Sequence, residues 1–509
     1  MQDKFLIGMG ESPSYIYSSK LNRHGFITGA TGSGKTVTLK VIAEQLSQAG
    51  IPVFLSDIKG DLASLIQAGE MNDAILSRLQ HNGLTDFEPR AFPVEFFDVF
   101  GENGIPLRTT ISEMGPILLS RLLGLNNIQE GILNIAFKLA DEQGLLLIDI
   151  KDLRSILNYV AENASDLSTV YGNISKASVG AILRSILVLE QQGGDLFFGE
   201  PDFKIQDFLR QNEKGEGIIN ILNSAKLFNH PLLYSTFLLW LLSELYENLE
   251  EVGDVDQPKV VFFFDEAHLL FDKKNTAAVE KIELITRLIR SKGVGVFYVT
   301  QKATDIPDSV LSQLGNRIQH TLRAYTPKEQ KEVKAVADSF RQAENTDLVE
   351  EILNLKVGEA IVSVLAEDSK PTFAQKVLIN PPMSKLGLAD PSLVMQTINF
   401  SALYDKYAEA IDPESAYEIL ERRSQEMALA REQEEKRLEE EKLLTAKQKE
   451  LAKEQERALR EKEREEKKQA QASKKRKTGV FDRLTNNVVG AVGREIGRQI
   501  TRGIFGTRK

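Results

Sequence analysis

The sequence contains no cysteine, five histidines and one tryptophan in 509 residues. Without cysteine there are no disulfides, thiolate metal sites or cysteine nucleophile, and histidine-rich metal centres have little to draw on. A cysteine-free chain suits a reducing cytoplasm, where we expect it. No window reaches the roughly 18 uninterrupted apolar residues of a membrane span. Met1-Gln2-Asp3-Lys4 and the short apolar run after it lack the long hydrophobic stretch of a secretory signal. Glycine and proline are missing from 421–468, so nothing there interrupts a helix.

What is present is unevenly distributed. The net charge of −10 conceals three regions. Residues 421–468 hold 15 acidic and 15 basic side chains, and 469–509 hold 10 basic and 2 acidic, a surplus of +8. Residues 1–420 therefore carry −18. The apolar fraction of 42% is enough for a large core.

The acidic body alternates short β-rich runs with amphipathic helical stretches, which predicts an α/β fold with a mainly parallel sheet. Strands are expected at His24–Thr28, Pro52–Ser56, Val94–Val99, Gly217–Ile221, Val260–Phe264, Val294–Thr300, Arg317–Leu322 and Glu359–Leu365. Several are continuous apolar runs, as in strands covered on both faces. The division expected is a first core segment at 1–108, an inserted helical subdomain at 109–208 and a second core segment at 209–382. A connecting helical segment follows at 383–420, then a charged helical rod at 421–478 and a basic amphipathic tail at 479–509. Rod pairs such as Glu432 with Lys436 support a solvated helix. Its apolar seam, Leu444, Leu451 and Ala458, is short for a coiled coil, though that pairing stays open. In the tail, Phe481, Leu484, Val488, Val492, Ile496, Ile500 and Ile504 recur beside Arg494, Arg498 and Arg502, a pattern suited to a peripheral membrane surface, nucleic acid or another subunit.

Gly29-Ala30-Thr31-Gly32-Ser33-Gly34-Lys35-Thr36, followed by Val37, fits the phosphate-loop spacing G-x-x-x-x-G-K-[ST]. Glycines let successive backbone N–H groups turn toward a polyphosphate, Lys35 reaches its β/γ oxygens, and the Thr36 hydroxyl ligates Mg²⁺. A chance match in a chain of this length has odds of roughly 0.02 at ordinary residue usage. The apolar run Val260–Phe264 ends in Asp265-Glu266, which suits a metal-ordering carboxylate followed by one that polarises water. These two motifs imply ATP and Mg²⁺ as cofactors, and the acidic pair favours hydrolysis over phosphoryl transfer to a small molecule. Ligands gather at the carboxyl ends of parallel strands. Asp57, after Phe54-Leu55-Ser56, is therefore a further metal candidate, and Gln301, after Val299-Thr300, a γ-phosphate sensor. Arg290 is the first candidate for an arginine inserted into a neighbouring subunit's site, Arg287 the second, with Arg317 outside them. His268 is a structural neighbour of the acidic pair.

In this order, Gly29–Thr36, Asp57-Ile58-Lys59-Gly60-Asp61, Asp265-Glu266-Ala267-His268, Arg290-Ser291-Lys292-Gly293-Val294-Gly295 and Thr300-Gln301 resemble the HerA-like branch of the HerA/FtsK ATPases. Within it the chain is similar to the bacterial YjgR-type proteins. The resemblance covers about residues 1–420 and implies a RecA-like core, ATP hydrolysis at subunit interfaces and a homo-oligomeric ring, commonly a hexamer. By matching position it implies Arg290 as the trans-acting arginine and Gln301 as the sensor. The 28 residues before Gly29 are too few for the β-barrel that precedes the HerA core, so that family's nuclease-docking role is not carried over. DNA is the mechanical substrate the resemblance implies, yet −18 on the body runs against a polyanion. The alternatives are a motor acting on protein assemblies and a nucleotide-gated scaffold.

Overall fold

A computed structural model describes residues 3–271, 276–344 and 346–474, the side chains of 276–278 and 470–474 excepted. The tail expected at 479–509 lies outside the described residues. The chain divides into two units, Met1–Arg423 and Ser424–Lys509. Among the described residues no single helix is long and apolar enough to cross a membrane.

In the first unit the described strands form one sheet. They are β1 (Lys4–Met9), β2 (Pro13–Tyr17), β3 (Gly25–Thr28), β4 (Val53–Asp57), β5 (Val94–Asp98), β6 (Ile105–Pro106), β7 (Ile219–Asn223), β8 (Val260–Phe264), β9 (Val294–Thr300), β10 (Asn316–Gln319), β11 (Glu359–Ser363) and β12 (Gln375–Ile379). Their order is β2-β1-β12-β11-β10-β3-β9-β8-β4-β7-β5-β6. From β10 to β6 every pairing is parallel, whereas β11, β12, β1 and β2 continue the sheet antiparallel.

The central strands are mostly apolar because both faces are covered. In β8, Val260, Phe262 and Phe264 enter one core while Val261 and Phe263 enter the other. Full burial of each such side chain contributes about 1.5–3 kcal/mol. Over one face lies helix Lys35–Gln48, contributing Leu39, Ile42 and Leu46. The other face is covered by Pro231–Asn248, a helix apolar nearly all round and correspondingly buried.

That second core continues into the helical block between β6 and β7. Helices Ile111–Leu122, Asn127–Gln143, Ile150–Glu162 and Lys176–Leu189 supply Leu119, Leu133, Ile156 and Ile186 to it. Local chemistry starts these helices: Thr110 accepts from the Glu113 N–H, while Asn126 and Asp149 each form a capping box. Within the same unit, buried Asp152 accepts from Ser415 Oγ at 2.6 Å and Tyr417 N at 2.8 Å. These bonds root a helix that runs Ala416–Lys474, five residues ahead of the expected start of the rod. In the second unit, its leucines Leu429, Leu438, Leu443, Leu444, Leu451 and Leu459 are exposed.

Candidate functional site

The parallel order places four strand ends side by side: β3, β9, β8 and β4. Gly29–Gly34 follows β3 and opens helix Lys35–Gln48. Gly29, Gly32 and Gly34 have φ of 151°, 77° and 113°, conformations that L side chains rarely adopt. Space is also limiting, because a Cβ on Gly29 would stand 2.5 Å from His320 Cβ. The loop is stitched to its surroundings by Ala30 N donating to Thr321 O (2.8 Å) and Gly358 N donating to Ser33 O (3.1 Å).

Lys35 is buried, and its ammonium donates to the carbonyls of Gly29 (2.6 Å) and Ala30 (3.1 Å). Burial, then the nearby charge of Lys59, lowers its pKa. The buried Ser33 hydroxyl has no hydrogen-bond partner among the described residues. An ammonium folded onto loop carbonyls, glycines in open conformations and an unpartnered hydroxyl together fit a polyphosphate with its Mg²⁺. Thr36 lies half-buried in the first helical turn, and Val37 packs toward the core.

Asp265 and Glu266 leave the end of β8. Burial and the Glu266 charge raise the Asp265 carboxyl to about 6. Glu266 is buried and holds a left-handed backbone, φ 49°, unusual for this residue type. Lys59 Nζ lies 3.7 Å from its Oε1 and His268 Nδ1 3.3 Å from its Oε2, yet among the described residues Oε2 makes no hydrogen bond. The His268 contact therefore has the distance of an ion pair without the alignment of a hydrogen bond. Gln301 is exposed one residue beyond β9, the strand between β3 and β8, so the fold brings it beside both motifs.

Asp57 reaches the same edge but is engaged otherwise. Its Oδ1 accepts from the N–H groups of Lys59 (3.2 Å) and Gly60 (2.7 Å), its Oδ2 from Leu62 (3.1 Å) and Ala63 (3.2 Å). Two oxygens serving four backbone donors hold the β4 loop in place. Burial, with Asp61 nearby, raises its carboxyl to about 6.

The arginines are at the other end of the strands. Arg290 precedes β9, and a seven-residue strand at about 3.3 Å per residue puts roughly 20 Å between the two edges. There Arg23, Arg287, Arg290, Arg317 and Arg341 line a cleft of about 1150 Å³ with Glu280 and Glu283. Arg290 and Arg23 share the carboxylate of Asp254, at 3.0 and 3.2 Å. Arg317 donates to the carbonyls of Leu314, Ser339 and Leu311, so it fastens this region structurally.

Three further features of the site lie outside the residues that the sequence motifs single out. Lys59 lies inside the Asp57–Asp61 stretch, a signal that was available. His320 accepts from Thr38 Oγ1 on Nε2 (2.9 Å) and donates from Nδ1 to Glu359 O (2.9 Å), tying the phosphate-loop helix to β10 and β11. A groove of about 580 Å³ runs from Ala30–Ser33 past Arg323, Tyr325, Leu353 and Val357, with Tyr325 81% exposed.

Residues 4–509 match the family model described as Helicase HerA-like C-terminal. The chain belongs to this family. HerA-like membership makes it a P-loop protein of the HerA/FtsK type. Among curated relatives, the DNA double-strand break repair helicase HerA of Sulfolobus acidocaldarius is 24% identical over 356 residues, 68% of this chain and 63% of the relative. The protein of the same description from Sulfurisphaera tokodaii is 24% identical over 413 residues, 78% of this chain and 72% of the relative. The HerA-like chain thus spans less than two thirds of the first of these. In fold it is similar to the plasmid coupling protein TrwB in complex with a non-hydrolysable ATP analogue, with TM-score 0.52 and 13% identity over 76% of this chain and 93% of that one. The TrwB complex with a non-hydrolysable GTP analogue gives TM-score 0.51 and 14% identity over 77% and 92%. These likenesses establish the RecA-like fold.

Proposed function

We propose that this HerA-like chain is a subunit of a cytoplasmic ATP-hydrolysing ring motor, hexameric or of similar size, whose mechanical substrate is DNA. Lys35 and the loop N–H groups hold the β and γ phosphates, while Thr36 and Asp265 hold Mg²⁺. Bound there, Mg²⁺ neutralises charge across the phosphates. Glu266 orients and deprotonates the attacking water, and Gln301 contacts the γ-phosphate from between the two motifs. The groove under Tyr325 receives the base, with the ring available for stacking.

The observation that carries the assembly is the separation of parts. Arg290 and Arg287 stand at the edge of the sheet remote from their own phosphate loop, so either of them could serve a phosphate site only in a neighbouring copy. A ring meets that need for every subunit at once.

A second reading rests on the −18 carried by residues 1–420: a nucleotide-gated scaffold, or a motor acting on protein assemblies. Hydrolysis measured with and without duplex and single-stranded DNA, beside the mass of the assembly in nucleotide, tests both. The proposal expects a ring mass and DNA-stimulated turnover. Hydrolysis no faster than that of Glu266→Gln removes the motor, and hydrolysis indifferent to DNA, with no DNA binding at moderate salt, leaves the second reading.

A further inference from the structure

We propose that Lys59 is a triphosphate-reading residue: its ammonium holds Glu266 in the nucleotide-free site and transfers to the terminal phosphate when ATP arrives. This rests on the ATPase reading above and adds a regulator to the same site.

The geometry begins with a fixed base. The backbone N–H of Lys59 is one of the four groups bound by Asp57, so the start of the side chain is anchored at the end of β4. Its far end is not, for the side chain is 44% exposed and the ammonium meets Glu266 Oε1 at 3.7 Å, beyond hydrogen-bond length. Glu266 is the opposite case, a side chain 8% exposed on a left-handed backbone, with Oε2 making no hydrogen bond among the described residues. A buried carboxylate whose ammonium partner is loose, with only the His268 ring 3.3 Å from its other oxygen, is costly, and it is available to bind a water once that ammonium moves.

Two ammonium groups therefore border the space before the phosphate loop. Lys35 rests on neutral carbonyls and Lys59 on a single negative charge. They lie close enough for the charge of Lys59 to act on both Lys35 and Asp265. A terminal phosphate carries more charge than Glu266 and presents several oxygens, so it draws the mobile ammonium in preference. A diphosphate ends short of that position and leaves Lys59 on Glu266. Water activation is thereby coupled to the presence of the group to be cleaved, and Glu266 stays neutralised after product forms.

The test is equilibrium binding of a fluorescent ADP and a non-hydrolysable fluorescent ATP analogue, with Mg²⁺, to full-length wild type, Lys59→Met, Lys59→Arg and Glu266→Gln. Wild type is expected to prefer the triphosphate. Lys59→Met should lose that preference by tenfold or more while its affinity for ADP stays within twofold. Lys59→Arg should regain most of it, and Glu266→Gln should keep it. Equal weakening of both nucleotides in Lys59→Met, or an unchanged ratio, overturns the proposal and reduces Lys59 to a counterion. Wild type that binds neither nucleotide overturns the ATPase reading itself, and this inference with it.

Discussion

Burial of His24 ties the stability of the arginine edge to pH. His24 is 2% exposed, donates from Nε2 to Thr286 O (2.8 Å) and accepts from Val296 N on Nδ1 (3.1 Å), so both nitrogens are committed in the neutral ring. Desolvation is the main cause, and the charges of Arg290 and Arg23 assist it in lowering the pKa from 6.5 to about 4. Asp254, which pairs with both arginines, is held below the usual carboxylate range and stays ionised across the window. The folded pKa of a base lies below its unfolded value, so the contribution is complete above pH 6.5 and is lost as pH falls through about 4. At pH 5 the loss is about 2 kcal/mol, roughly two thirds of the full effect at 1.36 kcal/mol per unit. His320, also lowered to about 4, acts in the same direction, while Asp57 and Asp265, raised to about 6, oppose both. The difference between wild type and His24→Asn isolates the one term. In nucleotide-free urea unfolding the variant is the less stable at pH 7, and the gap closes by about 2 kcal/mol at pH 5. A gap that stays the same at both pH values refutes the neutral, desolvated His24.

Glu266→Gln is expected to bind ATP within a few-fold of wild type and to hydrolyse it at least about 100-fold more slowly in steady-state assays, the range for removing a general base. Arg290→Ala should lose about 1,000-fold in turnover with nucleotide affinity largely kept. Mixed with Glu266→Gln it should recover activity that neither variant has alone, because each supplies what the other's site lacks; no recovery counts against a trans-acting arginine. Asp57→Asn should lower the urea midpoint and speed hydrogen exchange at Gly60, Leu62 and Ala63, with the Mg²⁺ dependence of nucleotide binding unchanged. A selective loss of Mg²⁺ dependence would make Asp57 a metal partner.

Strands such as Val260–Phe264 and Val294–Thr300 were legible because burial on both faces makes them continuous apolar runs bounded by polar residues. Lys4–Met9, Pro13–Tyr17 and Gln375–Ile379 were not, since each mixes buried with partly exposed positions and carries a weaker pattern. The phosphate loop and Asp265-Glu266 were readable for a related reason: each is a local word, complete within eight residues. Lys59 with Glu266, Thr38 with His320 and Ser33 with Gly358 join positions more than 200 residues apart, and only the sheet order makes them neighbours. Asp57 shows the remaining limit. Its type and place were evident, but the direction of its oxygens depends on how the following six residues turn.

Strand β9 has a consequence for timing. It is buried along its length between β3 and β8, with Arg290 four residues before its first residue and Gln301 directly after its last. In the proposed ring, one end of this strand would touch the subunit's own γ-phosphate and the other the nucleotide of the next subunit. A strand paired on both sides transmits displacement as a stiff bar, since stretching or buckling it means breaking ladder bonds. Loss of phosphate at one site would then arrive at the next as a movement of the arginine. Such a strand would let subunits fire in succession rather than independently.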